Sequence, residues 1–321
     1  MALDQGNDMN RRLLSIIATA ALAATAAMAA PPSASPSPSP APRPSSRPSE
    51  ATTKFAAATK EQIEFARVLA EKLYAEAKKS ATNMHLVETD HFLIYSEWEK
   101  SADKPLTDLA EGLYAALCKQ FDIPVKQNIW IGKCPIYTFR NTEHFHDFTK
   151  ATVGDSNKLM MSAGYCSSRN GLCYLVMDYR NSLSDFNTIL VHESTHAFIS
   201  RYLTNRNIPQ WLNEGLAETM ASTLVPEGFA TYRWKNATRE AVATKANISK
   251  VFEDVRLVDF DYGIVQSVVQ FLISRDKDKK SFIKLFTLLK EGKSEEEALQ
   301  ESYKLTRQDL IKAWSAAVGI R

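Results

Sequence analysis

The chain has 321 residues, 45% of them hydrophobic, and a formal charge of +2. This is enough apolar material for one sizeable globular unit or two intimate subdomains. Its 39 basic and 37 acidic residues are interspersed and nearly balanced, which leaves no electrostatic case for a nucleic-acid partner.

The N-terminal segment reads as an export signal. Arg11 and Arg12 precede a short apolar run, Leu13 to Ala26, and Ala27-Met28-Ala29 offers small residues to a signal peptidase. Residues 1–29 are therefore expected to be removed, leaving a periplasmic or secreted chain with no stable membrane span. A retained anchor is the competing reading, but the run falls short of the roughly 20 residues a span needs. Asp4 and Asp8 suit a basic leader poorly, so Met9 competes with Met1 as the start. Residues 30–57 are rich in Pro, Ser and Ala, and the stretch from Pro31 to Glu50 holds eight of the thirteen prolines. Such a segment buries too little apolar surface to offset its ordering entropy and reads as an extended, disordered tether. The folded domain is expected to span residues 58–321.

Within it, Glu61–Lys79 shows helical spacing of Ile63, Phe65, Ala66, Leu69, Leu73 and Tyr74. A strand follows near His91–Ser96. Pro105–Phe121 returns to helix, with Leu109, Leu113 and Leu117 one turn apart. Asn128–Gly132 and Ile136–Phe139 read as strands, Thr142–Lys150 as a short helix, and Ala163–Ser167 with Leu172–Met177 as a hairpin. Beyond Ser184 the pattern is helical throughout. A sheet with helices followed by a helical half is an α+β plan.

Four cysteines, Cys118, Cys134, Cys166 and Cys173, fit an oxidising compartment. If Asn170-Gly171 forms a two-residue turn, Cys173 opposes Ser168, so a Cys166–Cys173 disulfide requires a four-residue loop from Ser168 to Gly171. That pairing is expected here, with Cys118–Cys134 as its complement. Free buried thiols are the alternative. No C-x-x-C pair exists to hold a metal.

The most informative stretch is Val191-His192-Glu193-Ser194-Thr195-His196. Histidines four apart on a helix share one face, separated by roughly one 5.4 Å turn, so both can bind one metal ion. Glu193 projects beside them, placed to act as a base rather than a ligand. The competing reading is a core helix carrying two satisfied histidines. A catalytic zinc site needs a third protein ligand, and none of the six histidines lies downstream of His196. The best remaining donor is Glu214 in Gln210-Trp211-Leu212-Asn213-Glu214-Gly215, after a break at Asn207-Ile208-Pro209 that lets a second helix run back past the first. An exposed acidic face formed by Glu214 and Glu218 is the plainer alternative.

H-E-x-x-H followed by W-L-N-E-G resembles the gluzincin metallopeptidases, the group that includes thermolysin and the zinc aminopeptidases. The resemblance implies one zinc ion held by His192, His196 and Glu214, with seventeen residues between His196 and Glu214, slightly fewer than those two enzymes usually have. It also implies that Glu218, one turn after Glu214, orients a ligand histidine. The apolar pattern from Asp261 to Trp314, and His91-Phe92-Leu93-Ile94-Tyr95 upstream, are similar to the exported, peptidase-MA-like subgroup. The implied activity is hydrolysis of a peptide or protein substrate, with Glu193 as general base.

Thermolysin supplies an oxyanion donor from a downstream histidine, which this chain lacks, whereas zinc aminopeptidases use a tyrosine. Tyr262 is the first candidate and Tyr232 the second. Tyrosine is also a common packing residue. The G-x-M-E-N motif by which zinc aminopeptidases hold a free amine is absent, which favours an endopeptidase. In gluzincins an edge strand before the zinc helix receives the peptide, a place that Leu172–Met177 matches in sequence position. An ordinary core strand is the alternative there. Two other classes stay open, a zincin-fold scaffold without turnover and a zinc amidohydrolase acting on a cell-wall amide.

Overall fold

In the computed structural model the described residues are 57–169, 171–253, 256–276 and 278–320. The expected signal (1–29) and nearly all of the expected tether (30–57) lie outside them, as does Asn170 of the hairpin turn. The architecture is α+β: a mixed five-stranded sheet with helices, followed by a half made only of helices.

Helix α1 (Lys60–Ala77) starts at a capping box in which Thr59 and Gln62 satisfy each other's backbone N–H groups. Strands β1 (His85–Glu88) and β2 (Phe92–Ser96) follow, then α2 (Asp103–Gln120), β3 (Cys134–Phe139), α3 (Thr142–Val153) and the short α4 (Asn157–Met161). A hairpin of β4 (Gly164–Arg169) and β5 (Leu172–Asp178) completes the sheet. Its order is β1-β2-β3-β5-β4, with β2, β3 and β5 parallel and both edge strands antiparallel.

Side-chain alternation assigns the two faces. Phe92, Ile94, Ile136, Leu175 and Met177 share one core with Leu113, Tyr114 and Leu117 of α2. The alternate residues Tyr95, Tyr137, Phe139, Tyr174 and Val176 join Ala70 and Leu73 of α1 and Phe145 and Phe148 of α3 in the other. A sheet covered on both faces explains why β3 is buried at every position.

The helical half comprises α5 (Leu183–Arg201), α6 (Gln210–Leu224), α7 (Phe229–Thr244), α8 (Asp259–Ser274), α9 (Lys280–Glu291), α10 (Glu295–Tyr303) and α11 (Arg307–Val318). Phe121, just after α2, stacks on Phe198 of α5 and meets Phe282 and Phe286 of α9, so one continuous core joins the halves. Glycines permit the closest helix contacts. A Cβ on Gly215 of α6 would sit 2.5 Å from the Val265 carbonyl oxygen of α8, and one on Gly263 of α8 would sit 2.8 Å from the Arg233 carbonyl oxygen of α7. The loop between α5 and α6 is held by Lys290 of α9, whose buried ammonium donates to the carbonyls of Thr204 and Arg206 at 3.0 and 2.7 Å. Among the described residues no helix is long and apolar enough to cross a membrane.

Four expectations are corrected. Asn128–Gly132 is a loop, because the Asn128 side chain bonds Trp130 N and Gly132 O while Tyr114 Oη accepts from Ile129 N. Those side chains take groups a strand ladder would need. The hairpin pairs Arg169 with Leu172, which sets Ser168 opposite Cys173 and Cys166 opposite Leu175. That register separates Cys166 from Cys173, and all four cysteines, Cys118 and Cys134 included, are free thiols. Finally, β5 is interior. Its two sides are taken by β3 and β4, so β4 is the edge strand beside α5. Ile63 and Phe65 of α1, expected on its inner face, are each 42% exposed.

Candidate metal centre

Helix α5 begins at Ser182, whose hydroxyl accepts from Asp185 N, and its middle lies against β4 and β5. Apolar positions Leu190, Val191, Ala197 and Phe198 bury against the sheet and the core. His192 and His196 remain on the face that meets α6, with side chains 15% exposed. Their Nε2 atoms stand 3.0 Å apart. Glu214 is carried to them by α6, which starts after Pro209, and its Oε2 lies 3.3 Å from each Nε2.

This triangle fits a small divalent cation. Donors about 2.0–2.1 Å from a tetrahedral ion stand roughly 3.3 Å from one another. Glu214 Oε2 is buried without a hydrogen-bond partner, although two ring nitrogens face it. Lone pairs that converge in this way repel unless protons or a cation lie between them. Among the described residues, His192, His196 and Glu214 are the group of His, Cys, Asp or Glu side chains placed to share an ion. The other four histidines have partners elsewhere: His85 with Asp103, His91 with Glu111, His144 with Glu97, and His146 with the Met160 carbonyl.

Around the triangle the contacts fix orientation. His192 Nδ1 lies 3.1 Å from Glu218 Oε1, so a proton on Nδ1 donated to that carboxylate leaves the Nε2 lone pair facing the centre. Glu218 also accepts from Arg233 Nη1 at 3.0 Å. The Arg233 guanidinium lies over the rings of Phe229 and Tyr262, 4.8 and 5.4 Å from their centroids. Arg233 was not legible in the sequence, since nothing distinguishes it there from Lys235 or Arg239 on the same helix. His196 Nδ1 and Asn213 Oδ1 are both buried without a partner.

Glu193 accepts a hydrogen bond from the backbone N–H of Cys166 on β4 at 2.9 Å. Burial pushes its pKa up, and His192 and His196 offset this only in part. Burial opposes charge on His192 and His196 too, but Glu214, joined at His192 by Glu218, outweighs it and raises both pKa values in the metal-free chain. Burial also opposes the charge of Glu214, yet the two histidines hold its carboxyl far below the usual range. Glu218 shows the same balance, with His192 and Arg233 prevailing over burial.

Tyr262 reaches the site on α8, its ring centroid 6.5 Å from that of His192. Burial first, then Glu214 and Glu218, push its hydroxyl up to about 12, so it keeps its proton and can donate. Tyr232, the second candidate, is 60% exposed on α7. The structure thus brings together His192, Glu193, His196, Glu214, Glu218 and Tyr262, and adds Arg233 and the Cys166 amide. Residues 173–319 match the sequence model of the Peptidase MA superfamily. The match covers just under half of the chain, includes every one of these groups except Cys166, and is consistent with a zincin-like metallopeptidase. No curated protein sequence matches the chain.

Proposed function

We propose that the chain is an exported zinc-dependent metallopeptidase that cleaves peptide bonds within a peptide or protein substrate. The observation that carries this reading is the convergence of His192 Nε2, His196 Nε2 and Glu214 Oε2 beside a carboxylate, Glu193, that belongs to the same helix. One zinc ion held by these three side chains would polarise the scissile carbonyl and lower the pKa of the attacking water towards about 7. Glu193 takes the proton from that water and passes it to the leaving amine. Its raised pKa suits a group that must both accept and release a proton. Tyr262 donates to the developing oxyanion, and Arg233 and Glu218 hold His192 in the orientation that aims Nε2 at the centre.

The edge strand β4 supplies the place for an extended peptide, since among the described residues its outer side carries no neighbouring strand and its Cys166 N–H already reaches the base. The absence of a G-x-M-E-N motif supports an endopeptidase over an aminopeptidase. Export is supported by Arg11-Arg12, the run from Leu13 to Ala26 and Ala27-Met28-Ala29.

The test pairs metal analysis with a quenched-fluorescence peptide library, on wild type and Glu193→Gln. The wild type should hold one zinc per chain and cleave peptides internally. The variant should keep the zinc and lose about 10²–10⁴ in kcat/KM. Zinc without peptide cleavage in the wild type would leave a scaffold or an amidohydrolase, and failure to bind zinc would remove the centre altogether.

A further inference from the structure

The four thiols have no part in the metal centre, yet their placement is uneven. In the parallel ladder Ile136 faces Leu175 and Tyr137 faces Val176, and the same offset sets Cys134 against Cys173. Their sulfurs are 4.0 Å apart, in van der Waals contact. This is the one pair of thiols that the described residues bring so close. Cys166 faces Leu175 across the hairpin, and Cys118 sits in α2, where its thiol neighbours Tyr114.

Neighbouring strands are about 4.8 Å apart, inside the range of roughly 4.4–6.8 Å between Cα atoms that a disulfide spans. The register continued to Cys134 and Cys173 places them on one face of the sheet with their sulfurs already in contact, so side-chain rotation with a small approach of the two strands brings the sulfurs to bonding distance. Both residues line a narrow pocket bounded by Ala66, Leu69, Trp130 and Gly171.

We propose that Cys134 and Cys173 form a disulfide when the chain meets an oxidising partner, crosslinking β3 to β5, and that Cys118 and Cys166 stay reduced. The oxidant is a disulfide of the kind carried by thiol–disulfide oxidoreductases. The Cys173 thiol loses its proton and attacks one sulfur of that disulfide, releasing the other as a thiol. Cys134 then attacks the Cys173 sulfur of the mixed disulfide and expels the second thiol. Two thiols lose two protons and two electrons, and the oxidant's disulfide gains them. The crosslink closes the two central strands behind β4, the strand whose Cys166 amide meets Glu193. It does not depend on the peptidase reading.

Trypsin makes the inference directly testable, because each cysteine falls in its own peptide: 101–119, 134–140, 159–169 and 170–180. The full chain is treated with diamide, a small oxidant that takes up the two hydrogens in place of the disulfide. It is then alkylated in denaturant and digested without reduction, beside a Cys173→Ser control. The expected result is an intact mass lower by about 2 Da before alkylation, two alkylated thiols at Cys118 and Cys166, and a crosslinked species of 134–140 with 170–180. The control should show three alkylated thiols and no crosslink. Four alkylated thiols in the treated wild type would overturn the proposal, as would a crosslinked peptide containing Cys118 or Cys166.

Discussion

At the residue scale the centre is a balance between burial and charge. Each of His192, His196 and Glu214 is opposed by desolvation in its ionised form, and each is drawn back towards it by opposite charge, the histidines by Glu214 and Glu214 by the histidines. In the metal-free chain both imidazoles therefore hold protons at higher pH than an ordinary histidine, and a metal ion must displace them. Zinc affinity should accordingly rise with pH and keep rising above about pH 7, where a site built from ordinary histidines would level off. Competition with a chromophoric chelator between about pH 6 and 8 measures this, and a flat dependence would contradict the raised pKa values. Tyr262 offers a second check. Removing its hydroxyl in Tyr262→Phe should lower kcat by about 10²–10³ while zinc content stays at the wild-type level. Unchanged turnover would leave Tyr262 a packing residue.

Helices, at the element scale, decide what the residues can reach. The candidate ligands come from two helices joined by a loop that Lys290 clamps, and Tyr262 and Arg233 arrive on two more. Two glycines set how closely those helices approach. Replacing Gly215 by alanine pits two effects against each other. Helix propensity favours alanine by about 1 kcal/mol, but the new Cβ would stand 2.5 Å from a backbone oxygen of α8, which no side-chain rotation can relieve. Overpacking of this kind costs about 1–3 kcal/mol, so the substitution should destabilise the fold, seen as a lower urea midpoint. Zinc affinity should fall with it, since Glu214 is the adjacent residue. An unchanged midpoint would show that α8 can yield. The same scale explains the misread cysteines. Cys166 and Cys173 share one face, but the register, with Leu172 opposite Arg169 rather than Ser167, sets which residues oppose each other.

For the whole molecule, the candidate metal site lies where the sheet half and the helical half share one core, and α6 reaches its partner helix through that core. Bound zinc should therefore stabilise the entire fold. At a free concentration about a hundredfold above Kd it would add about 2.7 kcal/mol, so chelation should lower Tm by on the order of 5–10 °C and abolish peptide cleavage, both restored by added zinc. A Tm indifferent to chelation would mean that the ligand side chains hold no ion. Much of this was legible in the sequence, because the signals are local. The four-residue spacing of His192 and His196 follows from helix geometry, the helix break at Pro209 from the proline ring, and the α+β order from a change of apolar period along the chain. Those features depend on residues within a few turns of one another. What needed the tertiary structure is what depends on packing between distant segments: β5 lies inside the sheet and β4 at its edge, Arg233 rather than some other basic residue braces Glu218, and Cys134 meets Cys173 across 39 residues. Sequence spacing carries no record of which strand becomes a neighbour, because strand order is settled by the burial of whole faces.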